Sequence, residues 1–377
     1  MENILIFSPY YRNHIGGLEF FVEEFNKNLL TEKKYSITLV TSLIPKDQKV
    51  FEKKDNLEII RLPFFELINN FPVPKIWSLV FWKGYLLLFK KKYSIVISHT
   101  RFFTTSIMAW FYSRNKKVKW IHFEHGSDFV QTKNKVVSFL SYVYDFLIGK
   151  FVLIRADKVV SISEAVSKFV FNLSKKPSTV IYRGFDFSKF KKVEPNKIIA
   201  KKYDGFLKII FVGRLINGKG VDDLLSALEK IKTDKKWICF IVGDGDCKLN
   251  LIRHSNNKNL KNKIVFLGKL ENSKALEIIK SCDLFINPSY TEGLPTTVIE
   301  AIVLKKPVIA TDVGGTNECF NKKNDLICSG DIDSLLKKIQ SFINDKKIDY
   351  NLDKNYEYVF NKFNWNNSIK KFINLIK

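Results

Sequence analysis

Residues 283–318 read DLFINPSYTEGLPTTVIEAIVLKKPVIATDVGGTNE, and the order of elements in this stretch decides the fold. The run Asp283–Asn287 predicts a buried strand; a polar loop follows, a helix opens near Pro295, and Pro307–Ala310 predicts a second strand. Proline suits the first turn of a helix because the N–H it lacks would go unpaired there. The other free amides of that turn, at the positive end of the helix dipole, make an anion site. Glu292 precedes the helix and Glu300 lies inside it. Two carboxylates there would repel a phosphate unless they address something else, such as hydroxyls. A nucleotide-sugar offers both kinds of group.

Outward from this stretch, short apolar runs alternate with longer helical patterns, which predicts parallel sheets covered by helices. The first half gives strands at Asn3–Ser8, Ser36–Ser42, Leu57–Leu62, Ser94–Ser98, Val118–Phe123, Lys158–Ser161 and Thr179–Tyr182. A polar, Lys-rich passage then shows no strand pattern. The second half gives Lys208–Val212, Trp237–Val242, Ile264–Leu267, Leu284–Asn287 and Val308–Ala310, with helices over 331–345 and 352–377. The expected fold class is α/β, with two Rossmann-like doubly wound domains facing across a cleft. The expected boundaries are 1–187, a linker at 188–204, and 205–359, with a last helix over 360–377 packing back on the first domain. A chain of 377 residues has room for two such cores.

The net charge of +24 implies attraction to anions: nucleotide phosphates, an acidic membrane surface or nucleic acid. The five cysteines include no CxxC pair, which predicts reduced thiols in a cytosolic protein. The opening MENILIFSPYY has no basic region ahead of its apolar run, so it is expected to be a first strand rather than a signal peptide. Two stretches, Ile76–Phe89 and Val136–Ile154, approach the apolar length of a membrane span but carry interrupting charges (Lys83; Asp145 and Lys150). They are expected either as core helices with basic ends or as helices lying on an anionic membrane, and not as spans.

Several loops carry candidate chemistry. Gly16-Gly17 precedes a helix with apolar residues at helical spacing, a place where a ligand can approach the backbone. In FVGRLINGKG (211–220) a strand delivers Arg214, and the loop after it delivers Lys219 at a helix start. An Arg fork and a mobile Lys charge can neutralise a diphosphate without metal. In IVGDGD (241–246), Asp244 and Asp246 have the outward form of a metal pair, but a tight turn around Gly243 beside a lysine loop is the preferred reading. KWIHFEHGSDF (119–129) ends a strand: His122 is expected to pack, and His125 before Gly126 to face a ligand as a hydrogen-bonding imidazole. Asp331 and Asp333 read as a helix cap region.

With EGLPTTVIEA running on through PVIATDVGGTNE, supported by FVGRL…GKG, VGDG, NPS, the early GGLE and ADKVVSISEAV, the chain resembles the retaining nucleotide-sugar glycosyltransferases of family 4, the group 1 transferases of GT-B fold. The resemblance covers nearly the whole chain in the right order. It implies a glycosyltransferase of hexosyl or N-acetylhexosaminyl type needing no divalent metal or other cofactor. Arg214 and Lys219 would hold the donor diphosphate, Glu300 the ribose hydroxyls and Glu292 the donor sugar. The backbone of Gly293, Leu294, Pro295, Thr296 and Thr297 would surround sugar and diphosphate, with Gly243 near the base. Gly16 and Gly17 would close over the diphosphate and His125 would touch the sugar, so Glu292, His125, Arg214 and Lys219 form the expected catalytic set.

One position departs from the family pattern: Arg183 stands in IYRGFD where an Asn before Gly is usual. It implies either a differently built turn or an extra cation toward the ligand. The expected partners are a nucleotide-sugar, a glycan or lipid-linked acceptor and an anionic membrane surface, without nucleic acid. The expected location is the cytoplasm, peripheral at the inner face of the membrane. The alternatives are a sugar-nucleotide epimerase of similar architecture and a non-catalytic basic nucleic-acid-binding protein, whose cations would here be spread along the chain without a reading motif.

Overall fold

Runs such as Trp237–Val242 are buried at every position, which requires cover on both faces of the sheet and favours parallel strands joined by crossover helices. The computed structural model describes residues 1–12, 17–68, 71–129, 135–257, 259–322, 326–344 and 351–377. The described chain divides into two units. Met1–Val130, Asn134–Gly184 and Asn364–Lys377 form the first, and Phe185–Phe363 the second.

In the first unit the strands are β1 (Glu2–Phe7), β2 (Tyr35–Ser42), β3 (Phe51–Lys54), β4 (Leu57–Leu62), β5 (Phe64–Ile68), β6 (Phe71–Pro74), β7 (Ile95–His99), β8 (Lys119–Glu124), β9 (Lys158–Ser161) and β10 (Thr179–Val180). Its main sheet has the order β10-β9-β8-β7-β1-β2-β4-β3, and β5 pairs with β6 as a separate hairpin. All pairs of the main sheet are parallel except β3 with β4. The strand order reverses between β1 and β7. Helix Trp365–Ile376 packs on helix Gly17–Leu30, where Phe25 and Phe372 meet edge to face at 5.1 Å, and Lys158 Nζ donates to the Leu375 carbonyl.

The second unit holds β11 (Leu207–Val212), β12 (Trp237–Val242), β13 (Ile264–Gly268), β14 (Leu284–Asn287), β15 (Val308–Thr311) and β16 (Leu326–Ile327). They run parallel in the order β13-β12-β11-β14-β15-β16. The reversal here lies between β11 and β14, the two strands whose following loops carry Arg214, Lys219 and Glu292. In an open parallel sheet, ligands bind outside the carboxyl ends of the strands at such a reversal.

Three details differ from the sequence reading. The passage expected as a linker, 188–204, holds helices Phe187–Lys191 and Lys197–Lys202, capped by Asp186 and Asn196 side chains, and groups with the second unit. Residues 352–377 are two helices, because Asn364 leaves the helical conformation and its side chain accepts from Asn366 N–H at 2.8 Å, capping a new start. The edge strands β3 and β16 and the hairpin β5–β6 are not among the expected strands, because none has the long apolar run that marks the others.

Candidate active site

Lys219 and Glu292 meet although 73 residues separate them: Nζ lies 2.6 Å from Oε1. The meeting is built by two loops. The loop after β11 turns through Asn217–Lys219 into helix Val221–Glu229, and Tyr290 N–H on the loop after β14 donates to the Gly218 carbonyl at 2.9 Å. Gly220 makes the approach possible. Its φ is +61°, and a Cβ there would lie 2.0 Å from the Pro288 carbonyl oxygen, so any side chain would push the two loops apart. Ser289 Oγ lies 2.8 Å from Glu292 Oε1, and Asn287 Nδ2 is 3.4 Å away, so the same carboxylate oxygen that takes the ammonium is also held by the strand that delivers it.

Helix Thr296–Val303 opens next to Pro295, as the sequence suggested. Pro295 is its N-cap, with ψ of 96°, and not a first-turn residue. No side chain caps this end, so the amides of Thr296 and Thr297 stay available as anion donors. Leu294 and Pro295 are buried, Gly293 half-buried. Glu300 is buried within the helix, where its Oε1 accepts from Asn272 Nδ2 at 3.0 Å. Arg214 is exposed at the end of β11, and among the described residues no carboxylate pairs with it.

Gly243 lies where β11, β12 and β13 end together. Its φ is +143°, a Cβ would come within 1.8 Å of the Gly213 carbonyl oxygen, and its N–H donates to the Gly268 carbonyl. Its glycine character is therefore explained by strand packing, without a ligand. Asp244 is paired with Lys248 at 2.7 Å and accepts from Gly245 N–H, which holds its carboxyl below the usual range. Among the described residues no three His, Cys, Asp or Glu side chains cluster as a metal site.

In the first unit, Glu124 organises the end of β8. Its carboxylate is fully buried and receives the Arg101 guanidinium at 2.9 Å, the Arg101, His125 and Gly126 amides, and His122 Nε2 at 3.3 Å. Burial alone would raise this carboxyl, but Arg101 and His122 hold it well below the usual range. Arg101 also reaches the buried Asp145 at 2.7 Å, whose carboxyl burial raises to about 6 despite that partner. Glu124 is thus a builder of the His125–Gly126 loop.

His125 itself is half-buried against Phe21, edge to face at 4.8 Å, and burial pushes its imidazole down to about 3, so it is neutral at ordinary pH. Its Nε2 lies 3.2 Å from Nδ1 of the fully buried His99, whose own Nε2 has no partner among the described residues. A buried N–H without an acceptor costs more than a bare lone pair. The favoured tautomer therefore has His99 Nδ1–H donating to His125 Nε2, which leaves His125 Nδ1–H as a donor for a ligand.

Gly17 starts helix Gly17–Leu30, and a Cβ there would meet nothing within 4 Å, so its neighbours do not demand a glycine. Arg183 is buried, stacked over the Phe20 ring at 4.7 Å and directed at the Gly17 carbonyl at 3.5 Å. The guanidinium packs against the start of this helix. Gly16 lies outside the described residues. His122 is fully buried, with Nδ1 2.8 Å from Ser98 Oγ. The sequence reading missed Ser289, Asn272, Arg101 and Asp145 as supports. Of these only Ser289, inside the NPS signature, carried a local signal.

Residues 193–358 match the family model described as glycosyl transferases group 1, and residues 15–189 the one for Glycosyltransferase Family 4. An uncharacterized glycosyltransferase of Methanocaldococcus jannaschii is 34% identical over 381 residues, covering 98% of this chain and 96% of the relative. The phosphatidylinositol N-acetylglucosaminyltransferase GPI3 subunit of Saccharomyces cerevisiae is 22% identical, covering 84% of this chain and 69% of the relative. Among solved structures, sucrose-phosphate synthase of Thermosynechococcus elongatus matches with a TM-score of 0.80 at 20% identity, covering 100% of this chain and 98% of that one. HepE of Anabaena, crystallised with UDP and glucose, matches at 0.76 and 16% identity, covering 100% and 99%. At such identities the structural likeness speaks for the GT-B fold.

Proposed function

This chain belongs to the group 1 glycosyltransferases of family 4, and from that premise we propose that it moves a hexose or N-acetylhexosamine from a nucleotide-diphosphate sugar to a lipid-linked or other envelope glycan, with retention and without a metal ion. The observation that carries the proposal is the Lys219–Glu292 pair at the strand reversal of the second sheet, between an exposed Arg214 and an uncapped helix start. The second unit would bind the donor and the first would present the acceptor.

Arg214, Lys219 and the amides of Thr296 and Thr297 meet the diphosphate. Charge grows on its leaving oxygen as the sugar C1–O bond breaks, and fixed donors aimed at that charge lower the barrier. The acceptor hydroxyl attacks C1 from the same face, and its proton passes to the departing diphosphate. Glu292 binds sugar hydroxyls and sets the position of Lys219; Glu300 addresses the ribose. In the first unit, His125 Nδ1–H is offered to a ligand oxygen, and its neutral state suits a hydrogen bond better than a charge contact. The bound UDP and UDP-glucose of HepE, a protein of the same fold, support a nucleotide-sugar as donor. Work at the inner face of the cytoplasmic membrane follows from an acceptor of this kind.

The test is transfer from radiolabelled UDP-, GDP- and ADP-sugars to membrane extract, with and without EDTA. The expected result is labelled product that survives EDTA and falls by roughly 10²–10³ in Glu292→Ala. Wild-type transfer by that variant would refute the role of Glu292. Donor turnover without acceptor would favour the epimerase instead.

A further inference from the structure

Of the twenty-five exposed large apolar side chains among the described residues, four lie in the second unit and fourteen in two short segments of the first, 76–87 and 136–154. Two units of the same architecture differ so sharply that ordinary surface composition does not account for it. Helix Leu79–Leu87 buries Phe81 and Tyr85 on one side and leaves Leu79, Trp82 and Leu86 open on the other. A helix apolar all round belongs in a core or against some other apolar phase. The continuous helical run Val136–Arg155, twenty residues long, is apolar enough by length and composition to cross a membrane, yet only 28% of that window is buried inside the chain. Phe139, Leu140 and Leu147 are each exposed along it.

These segments lie on one face of the first sheet. The connections leading into β7, β8 and β9 step along the sheet in one direction, so right-handed crossovers place their helices on the same side. Helix Thr104–Lys116 lies between them. Tyr85 OH bonds to the Met108 carbonyl, the Tyr85 and Phe111 rings are 6.5 Å apart, and Trp110 packs on Phe151 at 4.9 Å. The charge these segments expose is mainly basic: Arg101 is neutralised by the buried Glu124 and Asp145 and Lys91 by Glu58, while the other lysines remain. From Lys75 to Phe123 the sequence has ten lysines and arginines and no aspartate or glutamate. In the other segment Asp145 is buried against Arg101, while Lys150 and Arg155 lie over the Phe146 and Phe151 rings.

We infer that this face of the first unit docks on an anionic lipid bilayer, with the two apolar segments at the headgroup–acyl boundary and the lysines among the phosphates. An apolar face covered by a second copy of the chain would bring its unbalanced cations together, whereas acidic lipid neutralises them. The run Val136–Arg155 lies along the surface and does not cross it, because Asp145, Gly149, Val152 and Leu153 are packed into the domain. The inference deepens the proposal of a membrane-linked acceptor, and its readout needs neither donor nor acceptor, so each can fail separately.

The experiment is co-sedimentation of the full chain with vesicles of phosphatidylcholine alone or with about a third phosphatidylglycerol. Binding to the anionic vesicles that weakens with salt supports the inference. The combined variant Leu79→Ser, Leu86→Ser, Leu140→Ser, Leu147→Ser should lower partition roughly tenfold or more, and Lys90→Glu with Lys92→Glu by a similar factor. All six side chains are exposed, so the urea midpoint should hold, and Ile198→Ser with Leu249→Ser in the second unit should change nothing. No vesicle binding, equal binding to neutral vesicles, or wild-type partition by the leucine variant would overturn the inference. So would a dimer in solution that those leucine changes dissociate.

Discussion

Replacing Glu292 by Gln and Lys219 by Met should move nucleoside-diphosphate affinity in opposite directions. The ammonium and carboxylate are 2.6 Å apart, with side chains 19% and 10% exposed. At that distance unit charges attract by about 6 kcal/mol at an effective permittivity near 20. Desolvation of both ions removes most of this and leaves a net coupling of roughly 1–3 kcal/mol. An arriving diphosphate competes with Glu292 for Lys219, so part of its binding energy is used in breaking the pair. In Glu292→Gln the ammonium is released from its ion partner, and UDP should bind roughly five- to a hundredfold more tightly while transfer falls. In Lys219→Met the diphosphate meets an unneutralised carboxylate, and affinity should drop by about tenfold or more. Calorimetric titration of both variants and the double with UDP, GDP and ADP measures this, and urea unfolding gives the coupling independently. If both single changes weaken binding equally, the ammonium does not serve the diphosphate and the charge argument for this site is wrong.

The other predictions are simpler to state. Gly220→Ala and Gly243→Ala should each cost about 2 kcal/mol or more in urea unfolding, since both positions combine positive φ with an overlap against a neighbouring carbonyl. Gly17→Ala should leave stability unchanged, and if it also leaves donor affinity unchanged, the ligand does not approach that helix start. Acidification should destabilise the first unit through His99 and His125. Their native imidazoles stay neutral while the unfolded ones take a proton near 6.5, so stability is lost as pH falls through that value. From pH 7 to 5 His125 alone should contribute about 2 kcal/mol of loss. Asp145 opposes this, because its raised carboxyl favours the folded state as pH falls through about 6. His125→Asn should flatten the pH dependence of the urea midpoint, and an unchanged profile would show that this imidazole is protonated in the folded chain.

Much of the second unit could be read in the sequence because its signals are local. Strands buried on both faces appear as unbroken apolar runs, and a loop between such a strand and a helix places its residues at the carboxyl edge whatever the rest of the chain does. That reasoning put Arg214, Lys219 and Glu292 on one sheet edge, and the family motifs agreed. It erred where only one or two residues decide, as at Pro295, which caps its helix, and at Asn364, which breaks one.

Tertiary structure decided the pairings. That Lys219 reaches Glu292 depends on Gly220 letting the loop pass against the Pro288 carbonyl, a contact between residues 68 positions apart. That Glu124 builds the His125 loop, and that Arg183 stacks on Phe20, depends on partners supplied by other elements. A charged residue looks alike in sequence whether it waits for a ligand or neutralises a neighbour. Burial and distance separate the two, and both come from long-range packing, whereas strand, loop and helix order come from periodicity along the chain itself.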